Sequence, residues 1–374
     1  MVEQVAAFTD TYLPTINGVS YTVSTWKERF ARLGGRMEVV FPKSTYCGGP
    51  LEFPVGSVPF PFYDGVRLGQ PRVPSGLTPP EIVHAHTPFA IGLAARRYAK
   101  DCEVPLVASY HTPAAEYARY LAPLSPITPA ISRLATAYER WFYEQAALVI
   151  TPSRVARDQV RDRLGVSTPL TVVSNGVDLE RFRPEAGDTA AFRTRHSLGA
   201  TNPLIGYTGR HGHEKRLEEL IDAVARLTRQ GGESPTLVLA GDGPARGALE
   251  RRASERDVDA RFLGFLERDE LPSLYAALDV FAFPSPVETQ GLVALEAIAS
   301  GTPVVAANAG ALTETVTAGV TGFHYEAGDV TSFAHTLEAA LDRQSALESG
   351  CLNRRPALGV EQSLERLQHV YRSV

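Results

Sequence analysis

A-F-P-S-P-V-E-T-Q-G-L-V-A-L-E-A-I-A-S-G-T-P-V-V-A, residues 282–306, carries two glutamates, Glu288 and Glu296, with seven residues between them. Pro284 and Pro286 hold the first glutamate out of regular structure. Gly291 marks the expected start of a helix whose buried face is Leu292, Leu295 and Ile298. A helix that begins beside a carboxylate offers free N–H groups and the positive end of its dipole to the same space. Such a place suits an anionic ligand with hydroxyls: N–H groups take phosphate oxygens, and carboxylates accept from sugar hydroxyls. The same residues also describe a solvated acidic loop followed by an ordinary helix.

Outward from this stretch, short β-rich runs alternate with helical patterns. Residues 4–8, 37–41, 82–85, 106–110, 148–151 and 170–173 read as strands of a first half. Residues 204–208, 236–240, 260–262, 280–283 and 303–306 read as strands of a second. Amphipathic helices fall between them, as at 23–33, 217–230 and 246–257. Strands alternating with helices imply parallel sheets covered on both faces. Two such series, with a break near 184–201, predict two doubly wound α/β domains of the Rossmann type, 1–184 and 185–360. Ligands of open α/β sheets lie at the carboxyl ends of the strands, so the expected site is a cleft between the domains.

At 374 residues, 44% hydrophobic and 21% charged, the chain is long enough for two ordinary globular domains. A net charge of −5 supplies no basic field, which sets nucleic acid aside. Residues 1–184 nevertheless hold 19 Lys and Arg against 16 Asp and Glu, and the remainder holds 18 against 26. A positive first half beside a negative second half can orient a protein on an anionic membrane, although a surplus of three is also what chance gives. Cys47, Cys102 and Cys351 are widely separated, which argues against a disulfide framework or a zinc site and for a reducing compartment. The first residues form no basic leader, and no run approaches the roughly 18 apolar residues needed to span a bilayer. The expected location is cytoplasmic, with any membrane contact peripheral and on the inner face. Oligomeric state is not predicted.

Four further segments carry candidate chemistry. F-T-D-T-Y-L-P-T-I-N-G-V, 8–19, follows the opening strand and turns into a helix at Asn17-Gly18, where N–H groups would be free to face an anion; a tight strand-to-helix turn fits equally. S-Y-H-T-P, 109–113, sets His111 at the carboxyl edge of the sheet, as catalytic group or as structural histidine. V-S-N-G-V-D, 173–178, is a turn near the domain boundary. Y-T-G-R-H-G-H-E-K-R-L-E-E-L, 207–220, places Arg210 and Lys215 around a glycine-containing strand–helix turn. Only four of the 37 basic residues are lysines, and cations at a helix N-terminus oppose its dipole. That unfavourable placement points to a diphosphate clamp, with arginine forking onto phosphate oxygens and lysine acting as a mobile point charge.

The order of these segments, with the glutamate pair last, resembles the retaining nucleotide-sugar glycosyltransferases of family four, which have two Rossmann-like domains facing a central cleft (the GT-B fold). The resemblance covers essentially the whole chain. It implies an acceptor-side domain 1–184, onto which a C-terminal helix within 361–374 crosses back, and a nucleotide-sugar-binding domain 185–360. By the same resemblance, Arg210 and Lys215 neutralise the donor diphosphate and departing nucleotide. Glu296 binds the ribose hydroxyls, and Glu288 lies beside the donor hexose. The backbone of Gln290, Gly291 and Leu292 holds sugar and phosphate. Asn17 and Gly18 belong to the donor-contacting turn of the first domain, and His111 stands near the reacting centre. Phe265 and Leu266 form the edge where the base is read. The donor is a UDP- or GDP-linked hexose, and no cofactor or metal is required.

One departure is informative: many members carry phenylalanine where Gln290 stands. E-T-Q-G, the opening segment 8–19 and H-T-P-A-A-E-Y-A-R-Y-L at 111–121 are similar to the subset that glycosylates diacylglycerol-type lipids. Segment 130–143 sets Arg133 and Arg140 beside Leu134, Trp141 and Phe142, a face that could lie in an anionic membrane interface. An ordinary domain helix with its apolar side in the core reads the same way. The expected reaction is retaining hexosyl transfer to a diacylglycerol-type acceptor, the alternatives being a soluble sugar, polyol or envelope precursor as acceptor, or a sugar-nucleotide epimerase. In G-D-G-P-A-R-G, 241–247, the third glycine falls one place late and Pro244 occupies the turn, so the dinucleotide fingerprint fails. A pyridoxal-phosphate phosphorylase would need a spare lysine near the site, and Lys215 is already assigned. An intact set of His111, Arg210, Lys215, Glu288 and Glu296 argues against a silent binding subunit. Asp257-Val258-Asp259 has the spacing of metal-dependent transferases but reads as a surface turn.

Overall fold

The computed structural model describes residues 2–60, 67–111, 128–185, 187–199, 202–229 and 234–374. The chain divides into two compact units, 1–176 with 360–374, and 177–359.

Unit 1 is built on β1 (Gln4–Phe8), β2 (Arg36–Pro42), β3 (Glu52–Val55), β6 (Ile82–Ala85), β7 (Leu106–Ser109), β8 (Leu148–Thr151) and β9 (Leu170–Val172). They form one sheet in the order β3-β2-β1-β6-β7-β8-β9, every pair parallel. A separate antiparallel ribbon pairs β4 (Ser57–Pro59) with β5 (Arg67–Gly69). Parallel strands buried on both faces read as continuous apolar runs, and β1 shows why. Val5 and Ala7 point into one hydrophobic cluster, Ala6 and Phe8 into the other. Helices α1 (Gly18–Arg32), α2 (Ala90–Cys102) and α3 (Thr128–Tyr143) belong to this unit. So does the C-terminal helix Val360–Tyr371, whose Val360, Leu364, Leu367 and Tyr371 join Trp26 and Phe30 in one core.

Unit 2 has a six-stranded sheet in the order β12-β11-β10-β13-β14-β15, again parallel throughout. Its strands are β10 (Leu204–Thr208), β11 (Thr236–Ala240), β12 (Ala260–Gly264), β13 (Val280–Phe283), β14 (Val304–Ala307) and β15 (Gly322–Tyr325). The helices that bear on the site are α4 (Leu217–Arg229), α5 (Arg246–Arg256) and α6 (Leu292–Ala299).

Both sheets reverse direction once. In unit 1 the chain leaves β1 toward β2 and β3, then returns to add β6 on the other side. In unit 2 it leaves β10 toward β11 and β12, then returns to add β13. The loops leaving β1 and β6, and those leaving β10 and β13, therefore part from one another at a topological switch point, where open α/β sheets bind ligands.

Candidate active site

The switch point of unit 2 is made by residues 209–216 after β10 and 284–291 after β13. A left-handed φ of +117° at Gly241, with a virtual Cβ only 2.0 Å from the Gly209 carbonyl oxygen, lets the loop after β11 lie directly on the loop after β10. This support fixes Arg210 and the single helical turn His213–Lys215. Lys215 Nζ donates to Glu288 Oε1 at 2.6 Å, joining the two loops across the switch point. Their side chains are 20% and 15% exposed. Burial alone would lower the lysine pKa; the Glu288 carboxylate more than offsets this and leaves it raised, so the ammonium is held charged. Arg210 Nη1 donates to Glu214 Oε1 at 3.0 Å.

Gly291 sits at φ +80° and ψ +59° just before α6. A Cβ there would meet Leu312 Cδ2 at 2.7 Å and Phe283 Cε1 at 3.1 Å, so the position needs glycine for both conformation and space. Among the described residues no side chain caps α6, whose positive dipole end begins directly after the loop that carries Glu288. That loop is pinned from behind: Ala311 N donates to Glu288 O at 3.1 Å, and Thr315 Oγ1 donates to Gln290 O at 2.6 Å. Glu296, about one turn into α6, is buried; Tyr275 Oη donates to its Oε2 at 3.0 Å, and Arg268 Nη1 stands 3.8 Å from its Oε1. Burial pushes the Glu296 carboxyl pKa up, against the opposing pull of Arg268 and Tyr275. At the end of β12, Phe265 is exposed and the Leu266 side chain is in the core. Asp257 closes α5 in the left-handed region, and Asp259 is engaged by Arg261 at 2.8 Å and by Thr236.

The corresponding place in unit 1 is filled by the protein itself. Asn17 Oδ1 accepts from Val19 N and Ser20 N, and Ser20 Oγ accepts from Asn17 N, a complete capping box at the start of α1. The expectation of free N–H groups after Asn17-Gly18 is thus corrected: the asparagine side chain takes them. Gly18 itself faces open space, with nothing within 4 Å of a virtual Cβ. Asp10 bridges the switch point, accepting from Thr87 Oγ1 at 2.7 Å and from Ile91 N at 2.9 Å at the start of α2. Sequence reading passed over Asp10, although an acidic residue two positions after a strand was the available signal.

His111 lies just past β7, buried, with Nε2 3.2 Å from Nδ1 of His86. Neither His86 nor His84 was singled out in the sequence, where H-A-H at the end of a strand was the signal. Of the segment 111–121 only His111 is among the described residues. In α3, Leu134 is 73% and Trp141 41% exposed; Arg133 and Arg140 are exposed beside them. Phe142 is a correction to the proposed membrane face. It is 0% exposed and packs in the unit 1 core, because it stands 100° round the helix from Trp141 and so turns inward with Tyr143. Among the described residues, no helix is long and apolar enough to cross a membrane.

Comparison with known proteins agrees with this architecture. The pattern described as Glycosyltransferase Family 4 matches residues 16–181, and that described as Glycosyl transferases group 1 matches 188–350. The chain belongs to the family-four glycosyltransferases, with the GT-B fold. It is 34% identical over 86% of its length to a sulfoquinovosyl transferase of Arabidopsis thaliana, of which it spans 65%. It is 31% identical over 91% of its length to a GDP-mannose-dependent alpha-mannosyltransferase of Corynebacterium glutamicum, spanning 80% of that protein. It is 29% identical over 81% to an alpha-monoglucosyldiacylglycerol synthase of Streptococcus pneumoniae, spanning 70%. Among solved structures, sucrose-phosphate synthase from Thermosynechococcus elongatus superposes with a TM-score of 0.78 at 20% identity, covering 99% of both chains. Anabaena HepE in complex with UDP gives 0.76 at 20%, covering 99% of this chain and 100% of that one. At that identity the structures speak for the fold alone.

Proposed function

We propose that this protein is a retaining hexosyltransferase that takes a nucleoside diphosphate sugar as donor and a diacylglycerol-type lipid as acceptor. The observation that carries the donor half is the contrast between the two switch points. In unit 1 both helix starts, α1 and α2, are occupied by Asn17 and Asp10. In unit 2 the start of α6 has no cap and stands beside the loop held by Lys215. An uncapped helix start next to a charged lysine is where a diphosphate is best stabilised. Arg210 and Lys215 then offset the charge that develops on the departing diphosphate, the largest electrostatic demand of the reaction. Lys215 must leave Glu288 to do so, which frees that carboxylate to accept from a sugar hydroxyl. Glu296, already oriented by Tyr275, is suited to the ribose hydroxyls. With no side chain assigned as nucleophile, retention is read as same-face attack, the leaving phosphate taking the acceptor proton.

The acceptor half is supported by a relative named for monoglucosyldiacylglycerol synthesis. It is also supported by Leu134 and Trp141, one heptad apart on the same exposed side of α3, each directly after an exposed arginine. A GDP-mannose-dependent relative of similar identity keeps the guanine donor in play. The test is a screen of UDP- and GDP-hexoses against lipid and soluble acceptors, with products identified by mass spectrometry and anomeric configuration read by NMR. Transfer to diacylglycerol that falls when Arg133 and Arg140 are both replaced by glutamate, together with loss of binding to anionic vesicles, supports the reading. Transfer to soluble sugars alone removes the lipid acceptor, an inverted product removes retention, and turnover of donor to its epimer removes transfer.

A further inference from the structure

The groups around Glu296 in unit 2 engage one of its carboxylate oxygens and stand back from the other. Tyr275, on the helix Leu271–Ala277, donates its hydroxyl to Oε2 at 3.0 Å. Burial and the neighbouring carboxylate raise the Tyr275 pKa well above the ordinary phenol value, so this proton stays on the tyrosine. Arg268, in the loop after β12, brings Nη1 to 3.8 Å from Oε1. That is close enough for charge attraction and too long for a hydrogen bond. Among the described residues no hydrogen bond reaches Oε1, an oxygen with two lone pairs to give.

A single ring accounts for the stand-off. The Arg268 guanidinium lies over Phe182, with Cζ 5.6 Å from the ring centre, and Phe182 is fully buried. The same ring meets Tyr275 edge-on, with centres 5.8 Å apart. One buried aromatic side chain thus places both the hydroxyl that binds Oε2 and the cation that faces Oε1. A bidentate arginine would occupy both oxygens; this one does not. The cation still matters, because a carboxylate whose side chain is 4% exposed is costly without a counter-charge. Burial pushes the Glu296 pKa up, and Arg268 is the largest influence against it, ahead of Tyr275 and Arg181. Arg181 is itself engaged by Asp269. Strands β13 and β14, against which α6 packs, carry no titratable residue. From the C-terminal side, Arg355 meets α6 at the Ala299 carbonyl, the far end of the helix, and Cys351 Sγ donates to the carbonyls of Thr302 and Thr321.

We infer that Arg268 is a positioning residue for donor binding: it supplies the counter-charge of Glu296 from a distance set by Phe182, and so keeps Oε1 as the acceptor for a ribose hydroxyl of the nucleotide. The inference rests on the reading of Glu296 as the ribose contact. It goes further by giving each neighbour a separate part: Tyr275 orients the carboxylate, Arg268 keeps it charged, and Oε1 reads the ligand. A buried acceptor kept for a hydroxyl disfavours a ligand that lacks it, because the oxygen is then left unmatched.

The test measures dissociation constants of the full chain by calorimetry for UDP and GDP, and for the 2′-deoxy and 3′-deoxy forms of whichever binds, at neutral and mildly acidic pH. In the wild type at least one deoxy form should bind roughly tenfold more weakly than the ribonucleotide, the scale of one hydrogen bond to a charged group. Comparing ribo with deoxy forms cancels the titration of the phosphates. Arg268→Met keeps the length of the side chain and removes the charge, so the ratio should fall toward one. The pH below which the ratio is lost should also move up, since a carboxylate without its cation takes up a proton sooner. Arg268→Lys returns a cation and should restore most of the ratio. Equal weakening of ribo and deoxy forms in Arg268→Met, with the ratio intact, is what a merely structural arginine would give; it overturns the inference and leaves the ribose contact standing. An Arg268→Lys protein no better than Arg268→Met overturns the counter-charge. A wild type that binds ribo and deoxy forms alike removes the ribose contact itself, and the inference with it.

Discussion

Replacing Lys215 with methionine and Glu288 with glutamine, singly and together, should separate what their ion pair does for stability from what it does for transfer. Two unit charges 2.6 Å apart attract by about 6 kcal/mol at an effective dielectric near 20. Desolvation takes back much of this, and both side chains keep some contact with water. Cutting either partner leaves a half-buried charge alone and should destabilise unit 2 by about 2–4 kcal/mol. The double variant removes both charges and should recover to within about 1 kcal/mol of the wild type. Transfer should behave differently. Lys215→Met should lose on the order of 10²-fold in kcat, and the double variant should stay as low, because both lack the lysine cation of the clamp and keep only Arg210. Both tryptophans, Trp26 and Trp141, lie in unit 1, so their fluorescence is blind to unit 2. Native-state hydrogen exchange of the β10 and β13 amides is the measurement to use. A double variant that regains transfer along with stability would refute the diphosphate clamp and leave Lys215 a purely structural partner of Glu288.

Gly291→Ala should cost about 2–4 kcal/mol, since the left-handed region costs a non-glycine residue about 1–2 kcal/mol and the new methyl meets Leu312 at 2.7 Å. It should also raise donor KM by displacing the start of α6; wild-type values in both would show that the helix start takes no part in binding. Glu296→Gln keeps an acceptor for Tyr275 and should raise donor KM with little change in kcat, because a ribose contact is made equally in ground and transition states. Collapse of kcat at constant KM would move Glu296 to the reacting centre. Acid should weaken unit 1: an unfolded histidine near 6.5 takes up its proton before buried His84 or His111 does. Their stabilisation is therefore present above pH 6.5 and is lost as pH falls toward 4, at about 1.4 kcal/mol per pH unit for each histidine. Urea midpoints read by tryptophan fluorescence from pH 7 to 4.5 check this, and a flat profile would contradict it.

The parallel two-sheet class is legible in the sequence because central strands such as β1 and β10 are buried on both faces and read as unbroken apolar runs. The strands that escaped are the ribbon β4–β5 and, in the two large sheets, β3 and β15, each at a sheet edge. β3 contains Pro54, which only an edge tolerates, and β15 is the weakly patterned G-F-H-Y. Burial within α3 was half legible. Periodicity marks Leu134 and Trp141 as sharing a side, but adjacency in sequence drew Phe142 into the same face, although neighbouring residues in a helix point apart. Pairing was not legible at all. Nothing in the spacing of Lys215 and Glu288 joins them, because the contact is made by strands that become neighbours only when the sheet closes. His86 and His111 meet for the same reason, through β6 and β7 lying side by side.

The two units are the same architectural idea with opposite treatment of the place where it binds ligands. Each sheet reverses at one point, and each reversal opens a gap flanked by helix starts that attract negative charge. In unit 1 the protein supplies the charge: Asp10 reaches from the loop after β1 to the N–H of Ile91, and burial raises its pKa while the hydrogen bonds from Thr87, Ile91 and Gly92 pull it back. A carboxylate already seated there leaves an incoming phosphate both displaced and repelled. In unit 2 the carboxylate nearest the helix start, Glu288, is turned toward Lys215 instead of toward the α6 N–H groups. On the proposed reading a diphosphate bound at the α6 start would have to part this pair. A nearly identical fold can thus hold one closed and one receptive switch point, and the difference comes down to where a single acidic side chain finds its partner.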